Sequence, residues 1–361
     1  MNYSYLAKYR DFEISSKIID KLKKASSKKI RLMEVCGTHT VSIFRNGIRS
    51  LIPENIHLLS GPGCPVCVTS QSDINAFIEI AKKPNVIITT FGDLMRVPGS
   101  LSSLQKERGE GRDIRVIYSP LDSVLIAKNN PQKKVVMLGV GFETTIPTIA
   151  SSIIEAKKNS ISNYFVYSSH KSIPAALLYL TGNIKIDGYI LPGHVSVITG
   201  TNPYIPLAEK FKIPCVAAGF EPVDILQAIY MLTKQIEEGT ANVENAYPRG
   251  VSSLGNLKAI KIIDEVFETK DVLWRGLGII PESGFKIKKD YYSFDAEKEF
   301  DIKVAEFEQA KGCICGEILK GMKLPIECPL YKKICTPDFP VGPCMVSSEG
   351  TCSAYYKYYG K

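Results

Sequence analysis

The sequence predicts an α/β protein with two similar α/β domains, each containing a four-stranded and mainly parallel sheet, followed by a small, irregular, cysteine-rich iron–sulfur domain. Short apolar segments alternate with amphipathic helical segments through most of the 361 residues, and this alternation is typical of parallel sheets covered by helices. In addition, six of the ten cysteines follow residue 312. At roughly 100–200 residues per domain, this length accommodates such an arrangement.

Eight apolar segments rich in β-branched residues are predicted to be strands. They are Ile30–Val35, Ile56–Leu59, Asn85–Thr90, Arg115–Tyr118, Val135–Val140, Tyr164–Ser168, Gly188–Leu191 and Cys215–Ala218. We assign the first four strands to one domain (1–121) and the last four to a second (122–240). Residues 241–361 then form a linker and the cluster domain.

Helices are predicted where apolar residues recur at intervals of three or four positions. Near the N-terminus, Phe12, Ile19 and Leu22 have this spacing. The other predicted helices are Ser72–Lys83, Ile146–Ala156, Pro174–Leu180, Pro222–Gln235 and Leu257–Glu268. The segment Asn242–Leu257 contains a proline and several glycines and serines, which predicts a loop.

The composition excludes several classes of protein. No apolar run approaches the ~20 residues that a membrane span requires, and the N-terminus lacks the apolar core of a signal peptide. The excess of 45 Lys and Arg over 37 Asp and Glu includes no basic run interleaved with stacking aromatic residues, so we expect no nucleic-acid partner. A cytoplasmic protein follows, and ten thiols in a reducing compartment indicate metal or redox chemistry.

The reactive side chains follow the predicted strands, where open α/β sheets bind their ligands. Two such edges that face one another would form a cleft. The candidate cleft residues are Thr38, Asp93, Glu143, His194 and Glu221.

Two cysteine motifs also lie at strand ends. Cys64 and Cys67 form a C-x-x-C motif directly before a helix, whose dipole favours a thiolate, so the pair is either a redox dithiol or a metal-binding pair. Cys36 and His39 share a short loop, in which both can bind one soft metal ion or the imidazole can activate the thiol.

The remaining motifs carry less information. Gly139-Val140-Gly141 suggests a dinucleotide site, but the third glycine is replaced by Thr144 and Glu143 puts negative charge where a pyrophosphate would lie, so we reject it. No P-loop motif occurs. His170 suits either a structural role or the cleft, and Cys215 is predicted to be a buried core thiol.

The C-terminal cysteines are spaced irregularly among prolines. This arrangement fits an iron–sulfur cluster or a structural zinc site, and the absence of paired C-x₂-C knuckles favours a [4Fe–4S] cluster. A disulfide framework is disfavoured in the predicted compartment. The six cysteines are Cys313, Cys315, Cys328, Cys335, Cys344 and Cys352.

Five motifs together resemble those of the HypD family, the hydrogenase maturation factors for nickel–iron hydrogenases. The resemblance extends over nearly the whole chain, and the combination is specific. The motifs are C-G-T-H-T (Cys36–Thr40), G-P-G-C-P-V-C (Gly61–Cys67), G-F-E-T-T (Gly141–Thr145), P-G-H-V-S-V-I (Pro192–Ile198) and M-V-S-S-E-G-x-C (Met345–Cys352).

The resemblance implies a scaffold on which the Fe(CN)₂CO unit of the hydrogenase active site is assembled, in association with a HypC-type small chaperone and a HypE-type cyanide-delivering protein. Cys36 would hold the iron with His39 beside it, and Cys64 and Cys67 would be the redox-active pair. The resemblance further implies a [4Fe–4S] cluster, with Cys313 as the first substitute for a ligand and Cys344 left out. Its implied ligands are Cys315, Cys328, Cys335 and Cys352.

These assignments suggest a relay of electrons from the cluster through Cys64 and Cys67 to iron at Cys36. Two alternatives stay open: an iron–sulfur-dependent thiol–disulfide reductase and a structural zinc protein that acts as an interaction platform. The sequence leaves open whether the protein turns over as an enzyme.

Overall fold

The computed structural model describes residues 7–302 and 312–360, and it shows an α/β protein with two parallel sheets. The strands are β1 Ile30–Glu34, β2 Ile56–Ser60, β3 Val86–Thr90, β4 Ile114–Val116, β5 Lys134–Gly139, β6 Tyr164–Ser168, β7 Gly188–Pro192, β8 Cys215–Ala218, β9 Val243–Asn245, β10 Phe267–Trp274 and β11 Gly278–Ile287. The predicted fold class is therefore confirmed.

Helices connect and cover these strands. They are α1 Phe12–Ala25, α2 Gly37–Arg45, α3 Ile48–Leu51, α4 Pro65–Val68, α5 Gln71–Ala81, α6 Leu104–Gly109, α7 Pro120–Asn129, α8 Ile146–Lys158, α9 Ile173–Thr181, α10 Gly193–Thr199, α11 Ile205–Phe211, α12 Pro222–Glu238, α13 Leu257–Val266, α14 Ala296–Phe300, α15 Cys315–Leu319, α16 Pro343–Val346 and α17 Thr351–Tyr358. Short 3₁₀ helices occur at Lys8–Arg10, Gly92–Arg96, Asn202–Tyr204, Lys289–Phe294 and Pro325–Glu327.

The strands do not group in the order that we predicted. Sheet 1 has the order β2-β1-β7-β8-β9, and sheet 2 has the order β4-β3-β5-β6. The chain leaves sheet 1 after β2, builds all of sheet 2, and returns at β7, which pairs with β1 through Leu32 and Gly188. The division between residues 121 and 122 therefore falls inside sheet 2 and does not separate the two sheets.

Most strands are buried on both faces, which explains their continuous apolar sequences. In β5, Val136 and Leu138 enter a central core that contains side chains of both sheets, whereas Val135 and Met137 face an outer core with α8. The strands of sheet 1 alternate in the same way between the central core and an outer core beside α12. Cys215 is fully buried in the central core, as predicted for a core thiol.

Three local predictions differ from the structure. The helix predicted to run to Glu268 ends at Val266, and the chain continues directly into the antiparallel hairpin β10–β11. The segment predicted to be a loop contains β9, which adds a fifth strand to sheet 1. On α1, Ile19 and Leu22 are buried as expected, but Phe12 at the first position is 83% exposed.

The cysteine-rich segment packs against the start of the chain. The ring of Tyr355 in α17 lies 4.7 Å from that of Phe44 in α2, in an edge-to-face arrangement. In the described ranges, no helix has the length and apolar character needed to cross a membrane.

Candidate functional site

A cavity of about 330 Å³ lies where the carboxyl ends of the two sheets face each other. Sheet 1 contributes Cys36 after β1 and His194 after β7, and sheet 2 contributes Asp93 after β3 and Phe142 after β5. Glu349 from the C-terminal segment completes the wall. The mixture of a thiol, an imidazole, two carboxylates and an apolar surface suits a small charged ligand.

Cys36 is the only cysteine among the described residues that line this cavity. It precedes α2 as its N-cap and is 9% exposed. Burial raises the pKa of the Cys36 thiol to about 11, although backbone N–H groups of His39 and Thr38 favour the thiolate. A metal ion that binds here must therefore displace a tightly held proton.

At Gly63, the backbone of the C-x-x-C loop packs directly against the backbone of Cys36. The amide of Gly37 donates a hydrogen bond of 3.1 Å to the carbonyl of Gly63. A Cβ atom at Gly63 would lie 2.3 Å from the backbone nitrogen of Cys36, so no larger residue fits without a shift of one loop. The iron-binding candidate and the dithiol candidate are thus in direct backbone contact.

Cys64 and Cys67 lie beneath the cavity wall that Pro65 and Val66 form. Their sulfur atoms are 2.6 Å apart, and the amide of Cys67 donates to the Cys64 sulfur over 3.3 Å. Burial raises the pKa of Cys67 well above its usual value, and the neighbouring Cys344 and Cys64 add to this effect. The pair is placed so that a small movement would allow a disulfide bond.

Cys344 connects this pair to the C-terminal cysteines. Its thiol interacts with Cys67, and the Cys67 sulfur lies 3.9 Å from the carbonyl oxygen of Pro343. Cys344 also lines a second, much smaller cavity of about 20 Å³. The other cysteines of that cavity are Cys313, Cys315, Cys328, Cys335 and Cys352.

The thiols of this second cavity act on one another. Burial, and then the charges of Cys344, Cys313, Cys335 and Cys328, raise the pKa of Cys352. The amide of Val341 donates to the Cys335 sulfur over 3.4 Å, a contact of the kind that tunes metal thiolates.

Six thiols line this second cavity, and thiolates are the ligands of both iron–sulfur clusters and structural zinc. Among the described residues, no three His, Cys, Asp or Glu side chains are arranged to hold one metal ion. A [4Fe–4S] cluster is wider than an ion, and its four thiolate ligands stand further apart.

Two predicted site residues lie in the cavity wall beside Cys36. The hydroxyl of Thr38 donates a hydrogen bond of 2.6 Å to Glu349, and Asp93 accepts one of 3.3 Å from Ser347. These two hydrogen bonds therefore connect the cavity wall to the C-terminal segment.

The two candidate histidines differ in position. His194 lines the cavity, and partial burial lowers its pKa. His39 is fully buried outside the cavity wall, where its Nε2 donates to the carbonyl of Gly219 over 2.8 Å. Burial lowers the pKa of His39 to about 4, so it is neutral at physiological pH. The structure thus places the His194 side chain in the cavity that Cys36 lines, and the His39 side chain outside its wall.

Neither predicted glutamate reaches the cavity. Glu143 is buried and accepts a hydrogen bond of 3.1 Å from the amide of Ile173, so it caps α9. Glu221 precedes α12 and forms an ion pair with Arg10. His170 is also buried outside the cavity wall, with its Nδ1 3.0 Å from the hydroxyl of Ser168.

The sequence-based reasoning missed Glu349 as a site residue. It belongs to a motif that we used only for the family resemblance, and nothing in the local pattern shows that this segment returns to Cys36. Its 311-residue separation from Thr38 makes the contact invisible to periodicity.

Known proteins resemble this chain over most of its length. The family model described as "Hydrogenase formation hypA family" (HypD) matches residues 13–359. The hydrogenase maturation factor HypD of Rhodobacter capsulatus is 43% identical, with 96% of this chain and 93% of the relative covered. The HypD proteins of Azotobacter vinelandii and Cupriavidus necator are each 41% identical; 98% of this chain is covered in both cases, with 96% and 97% of the relatives. The chain belongs to the HypD family of hydrogenase maturation factors.

Proposed function

We propose that this protein is the scaffold on which the Fe(CN)₂CO unit of nickel–iron hydrogenase is assembled, with iron held by the Cys36 thiolate. The observation that carries the proposal is the position of Cys36, which is the cavity's cysteine and touches the loop of the Cys64–Cys67 pair through Gly63. Low-spin iron with cyanide and carbon monoxide ligands is soft and favours a thiolate anchor.

The cavity residues supply the remaining contacts. His194 and Asp93 offer polar groups at opposite sheet edges, while Phe142 adds an apolar surface that excludes water. The backbone N–H groups of Thr38 and His39 stabilise the Cys36 thiolate once its proton has left.

We further propose that the C-terminal cysteines hold a [4Fe–4S] cluster, which supplies single electrons when bound. The set implied by the resemblance was Cys315, Cys328, Cys335 and Cys352. We propose Cys313 in place of Cys315, because its thiol is among those whose charges act on Cys352, together with Cys344, Cys335 and Cys328.

Cys315 lines the same cavity, within hydrogen-bond reach of the Cys313 thiol, and also lies next to the β10–β11 hairpin. Its sulfur would lie 3.6 Å from a Cβ atom at Gly276, in the turn of the β10–β11 hairpin. Separate alanine variants of Cys313 and Cys315, followed by iron counting after anaerobic reconstitution, test this choice. We expect loss of the cluster in Cys313→Ala and its retention in Cys315→Ala; the reverse result restores the original set.

A continuous line of contacts supports exchange of electrons between the two regions. It runs from the C-terminal cysteines through Cys344 to Cys67, and from the Cys64 loop through Gly63 to Cys36. Free thiols at these positions require a reducing compartment, which we propose to be the cytoplasm.

We propose a HypC-type chaperone and a HypE-type cyanide donor as the partners. The decisive experiment is anaerobic purification with the HypC-type partner, followed by infrared spectroscopy and iron counting. We expect cyanide and carbon monoxide stretching bands in the wild-type complex and their loss in Cys36→Ala. A Cys36→Ala complex that retains iron and still matures hydrogenase contradicts the proposal.

The alternative function is an iron–sulfur-dependent thiol–disulfide reductase, which the contact between Cys67 and Cys344 favours. Such an enzyme would reduce a partner disulfide and carry no cyanide or carbon monoxide. Infrared bands in the purified complex would exclude it as the main function.

A further inference from the structure

The loop that follows β8 is tied to α2, the helix whose N-cap is Cys36. His39 and Ser42 lie three positions apart on α2 and therefore on the same face of that helix. The Nε2 of His39 donates a hydrogen bond of 2.8 Å to the carbonyl of Gly219, and the hydroxyl of Ser42 donates one of 2.6 Å to the carbonyl of Phe220. The position of the Phe220 backbone is thus set by α2.

The Phe220 ring contacts two imidazole rings. Its centroid lies 4.7 Å from that of His39 and 4.0 Å from that of His194, and the interplanar angle is 31° in both pairs. At these distances and angles the rings meet largely face to face, as offset-stacked aromatic pairs do. Phe220 and His39 are not among the described residues of the cavity wall, whereas His194 is. Phe220 therefore connects a histidine outside the cavity to one inside it.

The contact with Phe220 orients the His194 side chain. Among the described residues, neither ring nitrogen of His194 has a hydrogen-bond partner, and Phe220 is its one aromatic neighbour. The backbone before His194 is closely packed, because a Cβ atom at Gly193 would lie 2.3 Å from the carbonyl oxygen of Ala218. The ring nitrogens of His194 are therefore available to a ligand in the cavity, in an orientation that the Phe220 ring sets.

We propose that Phe220 is a positioning residue of the candidate iron site, and that it fixes the orientation of the His194 imidazole in the cavity that Cys36 lines. His39 and Ser42 act on the site through Phe220, because they hold its loop. This inference rests on the proposed function, in which the ligand of the cavity is the iron unit. In the fixed orientation, an imidazole N–H can donate a hydrogen bond to the nitrogen of an iron-bound cyanide.

The first test uses the full chain, purified anaerobically before iron is loaded, and the histidine ring signals in proton–carbon correlation NMR spectra. The chain contains four histidines, so each signal can be assigned by substitution. At about pH 8, where an ordinary imidazole is neutral, we expect the ring protons of His194 upfield of those of the exposed His57, because they lie over the face of Phe220. Phe220→Leu should abolish this displacement, and Phe220→Tyr, which keeps the ring, should preserve it.

Three further signals and variants control the measurement. Phe12→Leu is the matched control, because it removes a ring that is 83% exposed and should leave the His194 signals in place. The signals of His170 report on folding, since this ring is fully buried. Ser42→Ala removes the bond to the Phe220 carbonyl and keeps every ring, so the His194 signals should move in the same direction by a smaller amount. If Phe220→Leu does not fold, unchanged His194 signals in Ser42→Ala overturn the inference.

His39→Gln tests whether His39 acts through Phe220. The glutamine amide can still donate to the carbonyl of Gly219, but it supplies no ring to support Phe220. We expect the displacement of the His194 signals to decrease in this variant. Once Phe220→Leu is present, His39→Gln should add no further change. An additional change in the double variant contradicts action through Phe220.

Infrared spectra of the complex with the HypC-type partner separate this inference from the proposed function. We expect the cyanide bands to shift and broaden in Phe220→Leu and to return to the wild-type position in Phe220→Tyr. Absence of cyanide and carbon monoxide bands in the wild-type complex overturns the proposed function and leaves the NMR result standing. Unchanged His194 signals in folded Phe220→Leu, or unchanged cyanide bands in its complex, overturn the role of Phe220.

Discussion

The hydroxyl of Thr38 donates a hydrogen bond of 2.6 Å to Oε1 of Glu349, 311 residues further along the chain. Thr38 belongs to the loop that presents Cys36, and Glu349 belongs to the segment that carries Cys344 and Cys352. The bond therefore fixes the cysteine-rich segment to the wall of the cavity beside the Cys36 thiol. It also brings a carboxylate close enough to raise the pKa of that thiol.

Glu349→Gln should make the Cys36 thiol more acidic, because it removes this charge and keeps an oxygen that can accept the Thr38 bond. We expect iodoacetamide to alkylate Cys36 about three- to tenfold faster in this variant at neutral pH. Thr38→Val is the matched control: it removes a hydrogen bond that lowers the pKa of Cys36, so it should slow alkylation. Equal rates in all three proteins would show that the carboxylate does not act on the thiol.

The pH profile of Cys36 should extend far into the alkaline range. Burial raises the pKa of Cys36 to about 11, so the thiolate fraction rises about tenfold per pH unit throughout the neutral and mildly alkaline range. Alkylation of the metal-free chain, followed at Cys36 by peptide mass spectrometry, should show this slope without a plateau below pH 10. A plateau near pH 8 or 9, the range of an ordinary thiol, would contradict the burial effect.

Gly63→Ala should separate the two loops at the centre of the site. The added Cβ would lie 2.3 Å from the nitrogen and 2.5 Å from the Cα of Cys36, and both are backbone atoms that cannot rotate away. We expect a loss of about 1–3 kcal/mol in the free energy of unfolding, measured by urea denaturation, with loss of iron from Cys36. Gly109→Ala is the matched control, since a Cβ there meets nothing within 4 Å. Similar stability of the two variants would contradict the close packing.

Because of Glu143, we expect the free energy of unfolding to decrease as the pH rises. Burial raises the pKa of Glu143 from 4.5 to about 7, so between these values the folded chain holds a proton that the unfolded chain has lost. Stability attributable to this group is therefore present below about pH 4.5 and is lost as the pH rises to 7, by about 3 kcal/mol at most.

Glu143→Gln should remove that part of the pH dependence, since Gln stays neutral and can still accept the bond from Ile173. The measurement is the free energy of unfolding from urea titrations at several pH values. Glu54→Gln, at an exposed position, should leave the wild-type dependence intact. An unchanged slope in Glu143→Gln would show that the carboxyl is ionised in the folded protein.

The positions of the strands could be predicted because a strand that is buried on both faces has a continuous apolar sequence. The same property hides the partner of each strand: Ile190 and Val136 both have apolar residues on either side, although one lies in sheet 1 and the other in sheet 2. Nothing in such a segment shows that β1 pairs with β7. The hairpin β10–β11 escaped detection for the opposite reason, because exposed charged residues interrupt the apolar pattern of β10.

The site was predictable where its chemistry is local in sequence. Cys36 and Cys64 closely follow strand ends, which are identifiable from the sequence, and Cys67 lies three residues after Cys64 in the short helix α4. Glu349 could not be predicted because it reaches the site through tertiary packing alone. Glu143 and Glu221 were predicted to line the cleft, but a strand-end position does not specify which way a side chain points. Both side chains cap helices instead.

The helices α16 and α17 pack against the segments that carry Cys36, Cys64 and Cys67. This packing has a consequence during protein synthesis. A ribosome-bound chain exposes Cys36, Cys64 and Cys67 long before residues 343–358 exist to cover them. Throughout that interval the three thiols lie open to oxidants and stray metal ions, and no complete pocket is present to hold iron. The proposed binding of iron at Cys36 therefore requires that this segment has already been translated.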